Sequence, residues 1–114
     1  MFLNSEEHER SQVELVSIAE SVLNGDLGVI LGSRRLRALE RRVTDEFDPD
    51  FFIFIHVDSE TDHLPVDEER GNWSKEALER KDIEIAEAEA LFKEPVVEGC
   101  RRIIDRFQVS KTTT

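Results

Sequence analysis

The chain has a single cysteine, Cys100, in 114 residues, so no disulfide can close within it and a cysteine-based metal cluster is excluded. No run approaches the roughly 20 apolar residues that a bilayer-spanning helix needs, and no membrane association is expected. Internal repeats and low-complexity linkers are missing as well, so 1–114 reads as one domain with a modest core. Bases are scarce, 15 against 26 acids, which leaves a formal net charge of −11. A field of that sign repels nucleic-acid phosphates and favours a basic protein partner. The opening stretch "MFLNSEEHER" turns acidic at once and lacks the basic and apolar regions of a signal peptide, which makes the cytoplasm the expected compartment.

Catalytic signatures are also lacking. The glycines of "GDLGVILG" have the wrong spacing for a phosphate-binding loop and follow a helical pattern, not a strand. Cys100 precedes Arg101 and Arg102, which would favour a thiolate, yet it falls on an apolar helix stripe and reads as an inert buried thiol. No catalytic residue is assigned and no cofactor is expected.

What is present is helical periodicity. Leu15, Ile18, Ala19, Val22 and Leu23 recur at three- and four-residue spacing, with Asn4 and Glu7 as a capping box and "NGD" (24–26) as a stop. A second helix is predicted from Asp26, with Val29, Gly32, Leu36, Leu39 and Val43 on its apolar stripe. Gly32 on that stripe points to a close helix crossing. Arg34, Arg37 and Arg41 fall on another face. From Ser74, a third stripe (Leu78, Ile85, Phe92, Val96, Cys100, Ile103, Phe107) runs through Pro95, as either a kinked helix or two helices nearly in line. The run "FFIFI" (51–55) fits a buried strand by composition. But Asp48-Pro49-Asp50 is good chemistry for starting a helix, and nothing else in the chain is extended enough to pair with a strand. The expectation is a short central helix, buried nearly all round and ending before Pro65. The fold class is therefore all-α, a bundle of four to five helices around a central aromatic segment, with 1–4 and 108–114 frayed.

Between Thr44 and Trp73 lie ten acids and one base, whereas "RRLRALERR" (34–42) carries five arginines. The acidic segment "HVDSETDHLP" (56–65) is the candidate site, and it has four readings. His56, Glu60 and His63 would share a helix face as metal ligands, although Leu64-Pro65 argues against helix at His63. Asp58, Glu60, Asp62 and Glu69 match part of a calcium loop but lack its central glycine. The acids could turn the chain and face Arg34, Arg37 or Arg41. Finally, Asp58, Glu60, Asp62 and His63, with Trp73 nearby, could meet a basic protein.

The stretches "DPDFFIFIHVDSETDHLPV" and "NWSKEALERKDIEIAEAEALF" resemble small bacterial helical proteins of uncharacterised families. That resemblance implies a bacterial cytosolic protein and carries no catalytic residues. By charge and size the chain is also similar to immunity proteins, which bind and neutralise basic toxins. The leading expectation is a non-enzymatic, acidic protein-binding module, in its most concrete form an immunity-type inhibitor. A metal-binding protein or metal-dependent enzyme using His56, Glu60 and His63 is the alternative, and a helical homodimer a third.

Overall fold

The computed structural model describes residues 5–45 and 47–108, so the Asn4 cap, residues 1–4 and residues 109–114 lie outside the described residues. Among those described there are five α-helices and no strand: α1 (Ser5–Leu23), α2 (Val29–Ala38), α3 (Glu40–Val43), α4 (Phe52–Thr61) and α5 (Lys75–Phe107). Two short 3-10 turns, Pro49–Phe51 and Glu68–Asn72, precede α4 and α5. The expected all-α architecture is the one observed.

Each boundary has a local cause. Gly25 takes φ 81° after α1, and the N–H groups of Gly25 and Asp26 donate to the carbonyls of Val22 and Ser21, a Schellman closure. The second helix starts at Val29, three residues later than its sequence pattern predicted, and breaks at Leu39, whose N–H donates to the Leu36 carbonyl in a tighter i to i+3 bond. Leu39 and Val43 remain buried beyond the break, so the predicted stripe survives it. Before α4, the Asp48 carboxylate accepts from the Asp50 N–H, and Pro49 occupies the first turn. Ser74 caps α5 by accepting from the Ala77 N–H at 3.1 Å.

The 33 residues of α5 run unbroken through Pro95, so the two-helix alternative falls away. Proline is tolerated there because Leu91, whose carbonyl loses its donor, and Pro95 itself both face solvent. At 1.5 Å per residue the helix is about 50 Å long and spans nearly the whole 53 Å of the molecule.

Helix α1 packs mainly on α5, and α2 mainly on α4. The core they enclose includes Leu15, Leu36, Phe51, Phe54, Val57, Val96, Cys100 and Ile103, all fully buried. Phe51 stands edge-on to both Phe54 (6.1 Å) and Phe107 (6.2 Å). Two glycines set the closest approaches. A Cβ on Gly32 would collide with Val22 Cγ2, and one on Gly99 would lie 2.8 Å from Ile53 Cγ2. The expected close crossing at Gly32 is therefore present. One correction concerns α4, which is not buried all round. Phe52 is 54% exposed and His56 is also exposed, because α4 packs on α2 and α5 and leaves its third side to water.

A carboxylate ties the long helix to the start of α2. Glu89 accepts from the Val29 N–H (2.8 Å) and the Ile30 N–H (3.0 Å), two of the donors a helix start leaves unpaired. Gly28 leaves room for it, since a Cβ there would meet Glu89 Oε2 at 2.9 Å. Glu89→Ala is expected to cost about 1–2 kcal/mol in urea unfolding, and an unchanged midpoint would refute this capping role.

At the other end, Arg106 grips both Asp48 (2.8 Å) and Asp50 (2.9 Å). The Arg106 hydrogen bond, supported by the Asp50 N–H and opposed by partial burial, holds the Asp48 carboxyl below the usual carboxylate range. A carboxyl depressed in the folded state stabilises the fold above its unfolded pKa, about 3.9 for aspartate, and that stability is lost as pH falls through the lower folded value. Melting temperature should therefore drop as the pH is lowered below that range, and Arg106→Gln should make the drop shallower. Parallel profiles for the two proteins would contradict the pairing.

Candidate functional site

The acidic segment is organised by one arginine. Arg34 on α2 reaches the end of α4, where its Nη2 donates to the carbonyls of Thr61 and Leu64. The Thr61 carbonyl also accepts from the Leu64 N–H, so the guanidinium closes the turn that follows α4. Its Nη1 donates to Glu69 at 3.0 Å, and its Nε lies 3.5 Å from Asp58. Arg37 donates to the other Asp58 oxygen at 2.9 Å, and Arg35 approaches Asp67 at 3.8 Å. Glu69 also accepts from the Val66 N–H. Its carboxyl is held below the usual range by its own backbone N–H first, then by Val66 and Arg34. Arg41 instead lies over the Phe47 ring at 5.6 Å. Much of the arginine block thus neutralises the acidic segment of the same molecule, the arrangement that charge segregation pointed to.

The five candidate residues separate accordingly. Asp58 is turned inward, 20% exposed, and engaged by two arginines. Glu60 and Asp62 are exposed, and no hydrogen bond or ion pair engages either among the described residues. His63 follows the end of α4, with Nε2 3.8 Å from Glu84 Oε1 on α5. Glu84 is bonded to Lys81, which lowers its pKa first, with His63 a smaller influence. Trp73 is half-buried at the foot of α5. Asp58, Glu60, Asp62 and His63 therefore gather where α4 ends against the first half of α5, while Trp73 precedes that helix, and of the five only Glu60 and Asp62 present free charge.

The metal and calcium geometries do not assemble. His56 and Glu60 share the outer side of α4, but the helix ends at Thr61 and His63 turns to Glu84. The ring of His56 stands edge-on to Phe92 at 5.8 Å. Among the described residues, no group of three or more histidine, cysteine or acidic side chains is placed to hold a metal ion. The calcium pattern fails because Asp58 and Glu60 are helical and Glu69 is bonded to Arg34, so the residues form no loop around a common centre. Cys100 is fully buried, and desolvation pushes its thiol up to about 12.

Sequence reasoning missed Glu89 and Arg106, because each acts across the fold and neither belongs to a local pattern, and it placed Glu69 in a calcium loop where the structure pairs it with Arg34. The only sequence signal for Glu89 was a glycine-preceded helix start with no serine, threonine, asparagine or aspartate at its cap.

Fold and site together define a small all-α domain whose arginines fix one acidic stretch and leave two carboxylates open. No family model, no curated protein and no solved structure matches the chain. Among the described residues, no helix is long and apolar enough to cross a membrane.

Proposed function

We propose that the protein is a non-enzymatic binding module that recognises a basic protein through the end of α4. Glu60 and Asp62 make the charge contacts, with His63 and Trp73 at the border of the surface. Asp58 serves the same surface from within by fixing α4 against Arg34 and Arg37. The observation that carries this reading is the contrast between a fully engaged Asp58 and two exposed, unengaged acids within four residues of it. Complementary charges carried on a fixed helix end raise association rate and specificity, since the backbone that presents them needs no ordering when the partner arrives. The most concrete form is an immunity-type or inhibitor protein in a bacterial cytosol, covering the basic surface of a toxin.

The test is affinity capture from lysate of the source cells with wild type and Glu60→Gln/Asp62→Asn as baits, each washed at two salt concentrations. A basic protein held by wild type, released by salt and missing from the variant is expected. Identical protein lists from the two baits would refute the proposal.

A further inference from the structure

The outer face of α5 carries a second pattern, on the side away from the core stripe. Arg80, Ile83, Glu87, Leu91 and Glu94 follow one another at spacings of three, four, four and three residues, which places them within about 80° of arc on a helix. Ile83 is 65% exposed and Leu91 70% exposed, and they are two of the few large apolar side chains the molecule leaves in water. Ala86 and Ala90 are exposed to one side of them, and Glu87 lies between the two larger side chains. Glu79, Glu87 and Glu94 flank them, and no ion pair among the described residues engages any of the three. The spacing is that of a helix-pairing seam, about 12 Å from Ile83 to Leu91 along the axis.

One contact joins this face to the site at the end of α4. His63 Nε2 lies 3.8 Å from Glu84, which sits at the edge of the face beside Glu87. We propose that the partner engages this chain as a basic amphipathic helix laid along the outer face of α5. Its apolar side chains cover Ile83 and Leu91, and its lysines and arginines meet Glu79, Glu87 and Glu94, with Glu60 and Asp62 beyond them. This rests on the reading of Glu60 and Asp62 as recognition groups and adds the form of the partner. Charge selects the occupant. A second copy paired antiparallel about Glu87 would match Arg80 with Glu94, but would set Glu87 on its own image in a region already rich in glutamate. A lysine- and arginine-bearing helix meets three unengaged glutamates, Glu79, Glu87 and Glu94, against one like charge, Arg80 at the end of the seam.

The probe is a synthetic 21-residue peptide with leucine at the seam positions and lysine or arginine elsewhere, against a scrambled isomer of the same composition. Fluorescence anisotropy would be measured with wild type, Ile83→Ser/Leu91→Ser and Glu60→Gln/Asp62→Asn, and mass in solution by sedimentation. Wild type is expected to prefer the amphipathic peptide about tenfold or more, a gap comparable to burying one apolar side chain. Ile83→Ser/Leu91→Ser should abolish that preference without unfolding the protein, because both residues are exposed. Glu60→Gln/Asp62→Asn should weaken both peptides alike. A preference that survives Ile83→Ser/Leu91→Ser overturns the inference and leaves the role of Glu60 and Asp62 standing. No preference in wild type overturns it too. If Glu60→Gln/Asp62→Asn changes neither peptide's binding, it is the underlying reading that fails. A doubled mass in wild type, lost in Ile83→Ser/Leu91→Ser, would assign the face to a second copy and overturn the basic helix as its occupant.

Discussion

Arg34→Ala is expected to destabilise the protein by about 2–4 kcal/mol, somewhat below the cost of breaking a fully buried charge network because Asp58 and Glu69 are partly exposed. The Arg34 side chain is 19% exposed, and its guanidinium serves Asp58, Glu69 and two carbonyls at the turn after α4. Its loss leaves Asp58 facing only Arg37 and removes the side-chain donor from the Thr61 and Leu64 carbonyls at the turn after α4. Against the roughly 5–15 kcal/mol that holds a typical domain together, that is a large share. Arg37→Ala, at a residue 43% exposed, should cost only about 0–1 kcal/mol. Urea unfolding of the two variants measures both, and equal midpoints would show that Arg34 does not organise the site.

The second large effect is expected at Phe54, which is fully buried and edge-on to Phe51. Phe54→Ala should cost about 3–5 kcal/mol, from lost transfer energy together with the cavity left between α4 and α5. Phe52→Ala, at a side chain turned mostly to solvent, should change stability by about 0.5 kcal/mol or less. The pair also distinguishes helix from strand. Residues two apart share a face in a strand and lie about 160° apart on a helix. Comparable losses at Phe52 and Phe54 would contradict the helical placement of the segment.

That segment marks the limit of what local sequence discloses. Five consecutive apolar residues carry no period, so their composition fits a strand as well as a helix, and the decision came from Asp48 and Pro49 at the helix start and from the lack of a pairing partner. The other helices were legible because their apolar residues are spaced and interrupted, as at Leu15, Ala19 and Val22 or at Val96, Cys100 and Ile103. The late start of α2 was not legible, because its cap is Glu89, about sixty residues away in sequence.

The same limit applies to the site. The acids of 58–62 and the arginines of 34–42 could be matched as blocks, but no local rule says which acid each arginine takes. That choice follows from the α2–α4 packing, which sets Arg34 and Arg37 around Asp58 and leaves Glu60 and Asp62 facing out. The outward apolar residues of α5 were hidden for a different reason. In a helix with a strong core stripe, Ile83 and Leu91 become conspicuous only once that stripe is seen to be turned elsewhere.

The division of labour among these carboxylates is tested most directly by urea unfolding of Asp58→Asn beside Glu60→Gln/Asp62→Asn. Asp58→Asn should lose about 1–3 kcal/mol, since it leaves two arginines without their shared anion. Glu60→Gln/Asp62→Asn should stay within about 0.5 kcal/mol of wild type, as for exposed groups with no partner. A loss in the double variant equal to that of Asp58→Asn would mean that the outer acids hold the fold as well, and would remove the basis for assigning them to recognition.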